Sequence, residues 1–169
     1  MMYKLGLVGL CTSHPESWIP VIRTLTQEKH VDVEVTAVWD SGETRPEGFA
    51  KEFAKKFDIP QTPPTLDAML ESVDGVIVHT TNWDKHIEQA RPFVEADKAV
   101  LLDKPMAGSL ADINQILDWA KQGKRVTGGS SLRFTTEGKE FLTKPVAQRG
   151  TIHTLFAGCG IDEFNYGIH

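Results

Sequence analysis

The chain has 169 residues and 18.8 kDa, with 40% apolar and 24% charged residues, which suits a soluble globular protein of about one domain and excludes disordered, collagen-like and disulfide-scaffold classes. A net charge of −5 and a pI near 5.7 give no general cationic field for nucleic acid or an anionic membrane surface, and no apolar run approaches the ~20 residues a bilayer span needs. Cys11 and Cys159 are too few for a disulfide framework, and the N-terminal MMYKLGLVGL lacks a cleavage site, so a reduced, cytoplasmic protein is expected.

Lys4 to Leu10 is an apolar run ending in a glycine turn, as in a buried parallel strand. Ser13 and Glu16 have capping-box spacing, opening a helix with Trp18, Val21, Ile22 and Leu25 on one face. Pro20 predicts a kink or a later start at Ser17. Val31 to Trp39 alternates as a second strand ending at Asp40. Phe49, Phe53 and Phe57 recur every four residues as a helix face. Ile59 to Pro64 holds only a short strand, and Thr65 caps a brief helix through Leu70. Gly75 to Val78 is the next buried strand, followed by a helix from about Asp84 to Glu95 and a strand at Ala99 to Leu102. Ser109 and Asp112 open a helix with Leu110, Ile113, Ile116, Leu117 and Ala120 on its face, stopped by Gly123 before a short strand at Arg125 to Thr127.

Strand and helix alternate without a hairpin signal, so the fold class is α/β, a doubly wound parallel sheet. After Gly128-Gly129 the repeat ends. Leu132 to Leu142 reads as helical and Thr151 to Ala157 as a strand, the start of a second, α+β unit. The expected boundaries are residues 1–129 for the first domain and 130–169 for an incomplete second one.

Open parallel sheets bind ligands at the carboxyl ends of their strands, so those ends are the candidate site. Gly9 begins a turn in which the second and third glycines of G-x-G-x-x-G are replaced, leaving backbone amides and the hydroxyls of Thr12 and Ser13, beside His14, as phosphate donors. A capped turn with no ligand explains the same residues equally well. Asp40 ends its strand where a carboxylate bonds the ribose of NAD, or else merely starts a turn; Arg45 leaves NADP open. Thr80, Thr81 and Asn82 follow the next strand as ribose or nicotinamide contacts, with His86 in the first turn beyond, although helix capping by Asn82 or Asp84 is the plainer reading. Asp103 and Lys104 precede Pro105, which holds Lys104 extended, and the ammonium could donate to a substrate hydroxyl. Cys11-x-x-His14 with His79 and His86 lacks a second paired motif, so no metal is expected, and Cys11 has no catalytic partners.

Together these pieces resemble the Gfo/Idh/MocA (glucose–fructose oxidoreductase / inositol dehydrogenase) family from Lys4 through Phe134. Lys98 to Ala107 is similar to the family's strand and Glu-Lys-Pro motif, with Asp103 for the glutamate. Thr80 to His86 is similar to its T-P-N-x-x-H stretch without the proline. Ser131 to Phe134 resembles the segment leading into the second domain, and Asn165 to His169 its Asp-x-Gly-x-His motif, with Asn165 for the aspartate. The resemblance implies a Rossmann domain binding NAD, or NADP, followed by a mainly β substrate domain, and hydride transfer at a sugar or cyclitol carbon. It implies Lys104 at substrate and nicotinamide, His169 as acid/base, and Gly9, Ser13, Asp40, Thr80, Asn82 and His86 along the cofactor. It also implies a small-molecule substrate and a homo-oligomer formed through the second domain, from which the chain as given is cut short and able to bind cofactor without turnover. The missing glycines and Asn165 motivate an alternative, a non-catalytic dinucleotide-binding or regulatory module.

Overall fold

A computed structural model describes residues 1–154 and 156, and the chain divides into two compact units, Met1–Gly128 and Gly129–His169. The first unit contains β1 (Tyr3–Val8), α1 (His14–Gln27), β2 (Val33–Trp39), α2 (Phe49–Lys56), α3 (Leu66–Leu70), β3 (Gly75–Val78), α4 (His86–Glu95), β4 (Ala99–Leu102), α5 (Leu110–Lys121) and β5 (Val126–Gly128). Its five strands are all parallel in the order β2-β1-β3-β4-β5. The chain steps from β1 outward to β2, then returns to place β3 on the other side of β1. That reversal makes the carboxyl ends of β1 and β3 the topological switch point, where an open α/β sheet forms its crevice.

Burial explains why the strands read as apolar runs rather than alternations. All of β3 and the last three residues of β1 are buried, as central strands of a parallel sheet are. Val8, Val78, Val100, Leu102, Phe93 and Trp119 belong to one core cluster; Leu7, Ile19, Val38, Phe53 and Ile77 belong to the other. Thr65 accepts the amide of Ala68 at 3.1 Å and Ser109 that of Asp112 at 3.1 Å, so both predicted caps form.

Several local expectations need correction. The first helix is continuous from His14, with Pro20 inside it. Its start is fixed by the Thr12 hydroxyl, which accepts the His14 amide at 3.1 Å, while Ser13 makes no side-chain cap and Glu16 pairs outward with Lys56 at 3.2 Å. The buried stripe of α1 is Pro15 and Ile19, flanked by Trp18 and Ile22, and Val21 is exposed. Likewise α5 buries Trp119 and part of Ile116, leaving Leu110, Ile113 and Leu117 exposed. Both helices carry apolar residues over more than half their circumference, and the largest well-placed side chain decides which arc goes in. The short strand expected at Ile59 to Pro64 shrinks to one bridge, Ala37 to Gln61, since prolines at 60, 63 and 64 supply no ladder amide. Trp83–Lys85 is a separate 3-10 turn, because the Asn82 side chain accepts the Asp84 amide and α4 begins only at His86. An open apolar trough of about 820 Å³ runs between α1 and the sheet, lined by residues including Trp18, Ile22, Val76, Val100 and Val126.

The second unit has a 3-10 turn at Ser131–Phe134, α6 (Thr136–Thr143) and α7 (Val146–Arg149). The single helix expected over Leu132 to Leu142 is thus interrupted, because the Thr135 side chain accepts the Gly138 amide and starts a new helix. Residues 151–154 form no strand; the rest of that expected strand, apart from residue 156, lies outside the described residues, as do Cys159, Asn165 and His169. Among the described residues no helix is long and apolar enough to cross a membrane.

Candidate functional site: the crevice at the strand ends

Four segments converge at the carboxyl edge of the sheet: the turns after β1, β2, β3 and β4. Gly9 has φ +86°, and its amide donates to the Trp39 carbonyl at 2.8 Å. A Cβ there would stand 2.7 Å from the Thr80 nitrogen, so the absence of a side chain is what lets the turns after β1 and β3 touch. Asp40 turns back across this edge. One of its oxygens accepts the Leu10 amide at 2.7 Å and the other the Gly42 amide at 2.8 Å. Arg45 donates to the Leu10 carbonyl at 3.2 Å and lies over the Phe49 ring. Beside Asp40 lies a hollow of about 300 Å³ lined by Ser41, Gly42, Pro46, Glu47, Gly48, Phe49 and Ala50.

On the β3 side, Thr80 is buried and its hydroxyl donates to Gln89 Oε1 at 2.6 Å. Thr81 and Asn82 are exposed. The amide and hydroxyl of Thr81 both point at Cys11 Sγ, at 3.1 and 3.2 Å. The expectation that His86 lines the cofactor is corrected. It is fully buried; its Nε2–H donates to the Thr80 carbonyl at 2.7 Å, and its Nδ1 faces the Met106 carbonyl. His86 therefore holds the turn after β3 from below.

Burial keeps His86 neutral by pushing its pKa below the usual 6.5, against the smaller raising effect of the two carbonyls. The unfolded chain then binds a proton near pH 6.5 that the folded chain refuses, so this contribution to stability is complete above pH 6.5 and is lost as acid drives the pH down through the lowered value. Urea midpoints of the parent chain should fall as the pH drops below about 6.5. His86→Gln, which can still donate to Thr80, should fall less steeply over that range. Parallel slopes would show that His86 is not the group charging.

After β4, Asp103 is buried and its Oδ1 accepts the Lys104 amide at 2.7 Å. Its Oδ2 is hydrogen-bonded by His14 Nδ1 and lies 3.5 Å from His79 Nδ1. Burial would raise the Asp103 carboxyl, but its interactions with the two imidazoles outweigh that and hold it well below the usual carboxylate range. The same burial lowers His79, so that ring is neutral. Lys104 is half-buried, and its bond to Pro105 is cis rather than the simple extended link expected.

The crevice thus gathers Gly9, Thr12, Ser13, His14, Asp40, Thr80, Thr81, Asn82, Asp103 and Lys104 at one sheet edge, with His86 beneath them. Sequence reasoning misses His79 as a partner of Asp103. Its position directly after a buried strand, on the same edge as the other candidates, was the available signal. The Cys11/His14/His79/His86 grouping does not assemble, because Cys11 turns to Thr81 and His86 to Thr80.

Residues 3–129 match the GFO_IDH_MocA family, described as an oxidoreductase family with an NAD-binding Rossmann fold. The chain belongs to that family. It is 30% identical over 118 residues to the trans-1,2-dihydrobenzene-1,2-diol dehydrogenase of Danio rerio, covering 68% of this chain and 33% of that protein. It is 26% identical over 134 residues to a putative UDP-kanosamine synthase oxidoreductase subunit of Amycolatopsis mediterranei, covering 79% of this chain and 35% of the relative. Among solved structures, myo-inositol dehydrogenase from Lactobacillus casei, in complex with NAD(H) and myo-inositol, superposes with a TM-score of 0.68 at 20% identity, covering 83% of this chain and 40% of that one. The chain spans about a third of the length of the curated relatives it matches.

The family's dinucleotide fits this edge at its adenosine end. A carboxylate at the tip of β2 beside a hollow suits a ribose and its base, and the glycine turn opens onto the N-terminus of a 14-residue helix, where backbone amides favour a pyrophosphate. At the second and third glycine positions stand Cys11 and His14, whose side chains face Thr81 and Asp103 respectively.

Proposed function

We propose that this chain is the cofactor-binding part of an NAD-dependent oxidoreductase acting on a sugar, cyclitol or related small hydroxylated substrate. The observation that carries the reading is the gathering of Asp40, the Gly9 turn and Lys104 around one switch-point crevice. The two curated relatives, a diol dehydrogenase and an oxidoreductase subunit for a sugar nucleotide by name, support the substrate class. When bound, the nicotinamide would accept or supply the hydride. Asp40 would hold the ribose hydroxyls and repel a 2′-phosphate, while Arg45 is drawn inward to Leu10, which favours NAD over NADP. Gly9, Thr12, Ser13 and His14 would border the pyrophosphate, Thr80, Thr81 and Asn82 the far half of the crevice, and Asp103 would hold the backbone of Lys104. The Lys104 ammonium would pass a proton to or from the reacting oxygen. His169 as the second acid/base, and a homo-oligomer formed through the second domain, complete the proposal.

Titrating NADH and NADPH against tryptophan fluorescence tests the cofactor assignment. NADH should saturate at lower concentration than NADPH. Asp40→Asn removes the charge and keeps only one of the two oxygens that accept the Leu10 and Gly42 amides, and should weaken NADH by ~10-fold or more, as loss of one charge-assisted hydrogen bond does, while narrowing the gap to NADPH. If neither dinucleotide saturates, the reading fails. A second reading, a non-catalytic dinucleotide-binding module, is favoured by one feature: His14 stands at the third glycine position and is tied to Asp103. Cofactor binding without turnover across a panel of sugars and cyclitols, measured on the complete protein, would select it.

A further inference from the structure

His14, His79 and Asp103 reach one point from three rigid elements. His14 is the first residue of α1, His79 directly follows β3, and Asp103 directly follows β4. Their nearest ligand atoms all lie within 4.8 Å of one another. We propose that these three side chains form a binding site for a zinc-class divalent cation, with His14 Nδ1, His79 Nδ1 and Asp103 Oδ2 as ligands.

Two independent observations converge on this. The first is the ligand geometry. Donors about 2.0–2.2 Å from a tetrahedral ion stand about 3.3–3.5 Å apart, and His79 Nδ1 is 3.5 Å from Asp103 Oδ2. His14 Nδ1 is hydrogen-bonded directly to the same oxygen, so the ion would displace the bridging proton and His14, on the partly exposed side, would draw back to ligand spacing. The second is His79 itself. It is 1% exposed; among the described residues Nε2 has no hydrogen-bond partner, and Nδ1 has only the Asp103 oxygen at 3.5 Å. Buried imidazoles are ordinarily well bonded at one nitrogen or the other, and an ion at this point would give Nδ1 the close partner that a 3.5 Å contact does not.

The surroundings are built as a metal's outer shell requires. The second oxygen of Asp103 is held by the Lys104 amide at 2.7 Å, which fixes the orientation of the carboxylate. Trp18 stacks parallel to the His14 ring at 5.9 Å and edge-on to the His79 ring at 4.9 Å, restricting both. His14 is partly exposed while the other two are buried, so the ion would have an open position on the His14 side, toward the crevice. Two imidazoles and one carboxylate suit a borderline first-row cation such as Zn²⁺ or Co²⁺. They suit Mg²⁺ and Ca²⁺ poorly, because those ions demand oxygen ligands.

The test is calorimetric titration of Zn²⁺ into chelator-treated, untagged protein, with Co²⁺ absorption as a second signal and Mg²⁺ as the control. One Zn²⁺ per chain should bind and Mg²⁺ should not, while Co²⁺ should give the visible bands of a low-symmetry, four- or five-coordinate site. His14→Gln and Asp103→Asn should each weaken Zn²⁺ by ~10²-fold or more, since even outer-shell losses cost 10–100-fold; circular dichroism checks that each variant stays folded. Cys11→Ser should leave the affinity unchanged. His14 is partly exposed, so its variant decides the question even if the Asp103 variant misfolds. Absence of saturable Zn²⁺ binding, binding that survives His14→Gln, or binding that needs Cys11 would each overturn the assignment. NADH binding is a separate measurement, so the cofactor reading stands or falls independently.

Discussion

Lys104→Ala is expected to cut turnover by ~10²-fold or more while leaving NADH affinity within a few-fold of the parent, because the side chain is assigned a proton transfer and not a hold on the dinucleotide. The backbone supports that separation. The Lys104 amide is fixed by Asp103 Oδ1 at 2.7 Å; removing the side chain beyond Cβ leaves that bond in place. Steady-state rates of the complete protein with a hydroxylated substrate, measured beside the fluorescence titration, separate kcat from binding. Lys104→Arg sharpens the test. It keeps a cation in the crevice, but a guanidinium does not release its proton at neutral pH, so its turnover should stay near that of the alanine variant. Recovery in the arginine variant would mean that charge, not proton exchange, is the contribution. Full turnover in Lys104→Ala would remove Lys104 from the mechanism.

The elements that were legible in the sequence are those whose signal is local. The apolar runs of β1, β3 and β4, the aromatic face of α2 and the caps at Thr65 and Ser109 each depend on residues within a few positions of one another. Parallel pairing followed from alternation of strand and helix alone, and with it the strand ends as the place to look. Helix faces were less legible. In α5 the run Leu110, Ile113, Leu117 has the right period but lies exposed, because Trp119 fills the space against α4 and the sheet. Choosing between two apolar arcs takes knowledge of the neighbouring surface. Side-chain contacts across the crevice were least legible. His14 and Asp103 are 89 residues apart, and Asp103 looked from its motif like a residue preceding a lysine. Only the assembled sheet edge turns it into the common partner of two imidazoles. His86 illustrates the opposite error: a polar residue at the expected place spends its hydrogen bond on the Thr80 carbonyl from below.

Gly9→Ala should destabilise the protein by at least ~2 kcal/mol more than Gly123→Ala, although both glycines have a left-handed backbone, with φ +86° and +76°. The two substitutions share the conformational strain, about 1–2 kcal/mol for a residue carrying a Cβ. They differ in what the Cβ meets. At Gly123 no atom of the described residues lies within 4 Å; at Gly9 the new atom would stand 2.7 Å from the Thr80 nitrogen and 2.9 Å from its Cα. Those are backbone atoms on a strand end. The Thr80 hydroxyl, 2.5 Å from the new atom, is bonded to Gln89 and its carbonyl to His86, so the segment cannot swing aside without breaking buried hydrogen bonds. The remaining relief is to separate β1 from β3 at their carboxyl ends, which opens the switch point itself. NADH binding should therefore fall in Gly9→Ala at temperatures where the variant is still folded, and should be untouched in Gly123→Ala. Urea midpoints and the fluorescence titration on the same two variants decide it. Equal destabilisation would mean that the turn after β1 has room to move, and the close approach of the two strand ends could then no longer explain why Gly9 carries no side chain.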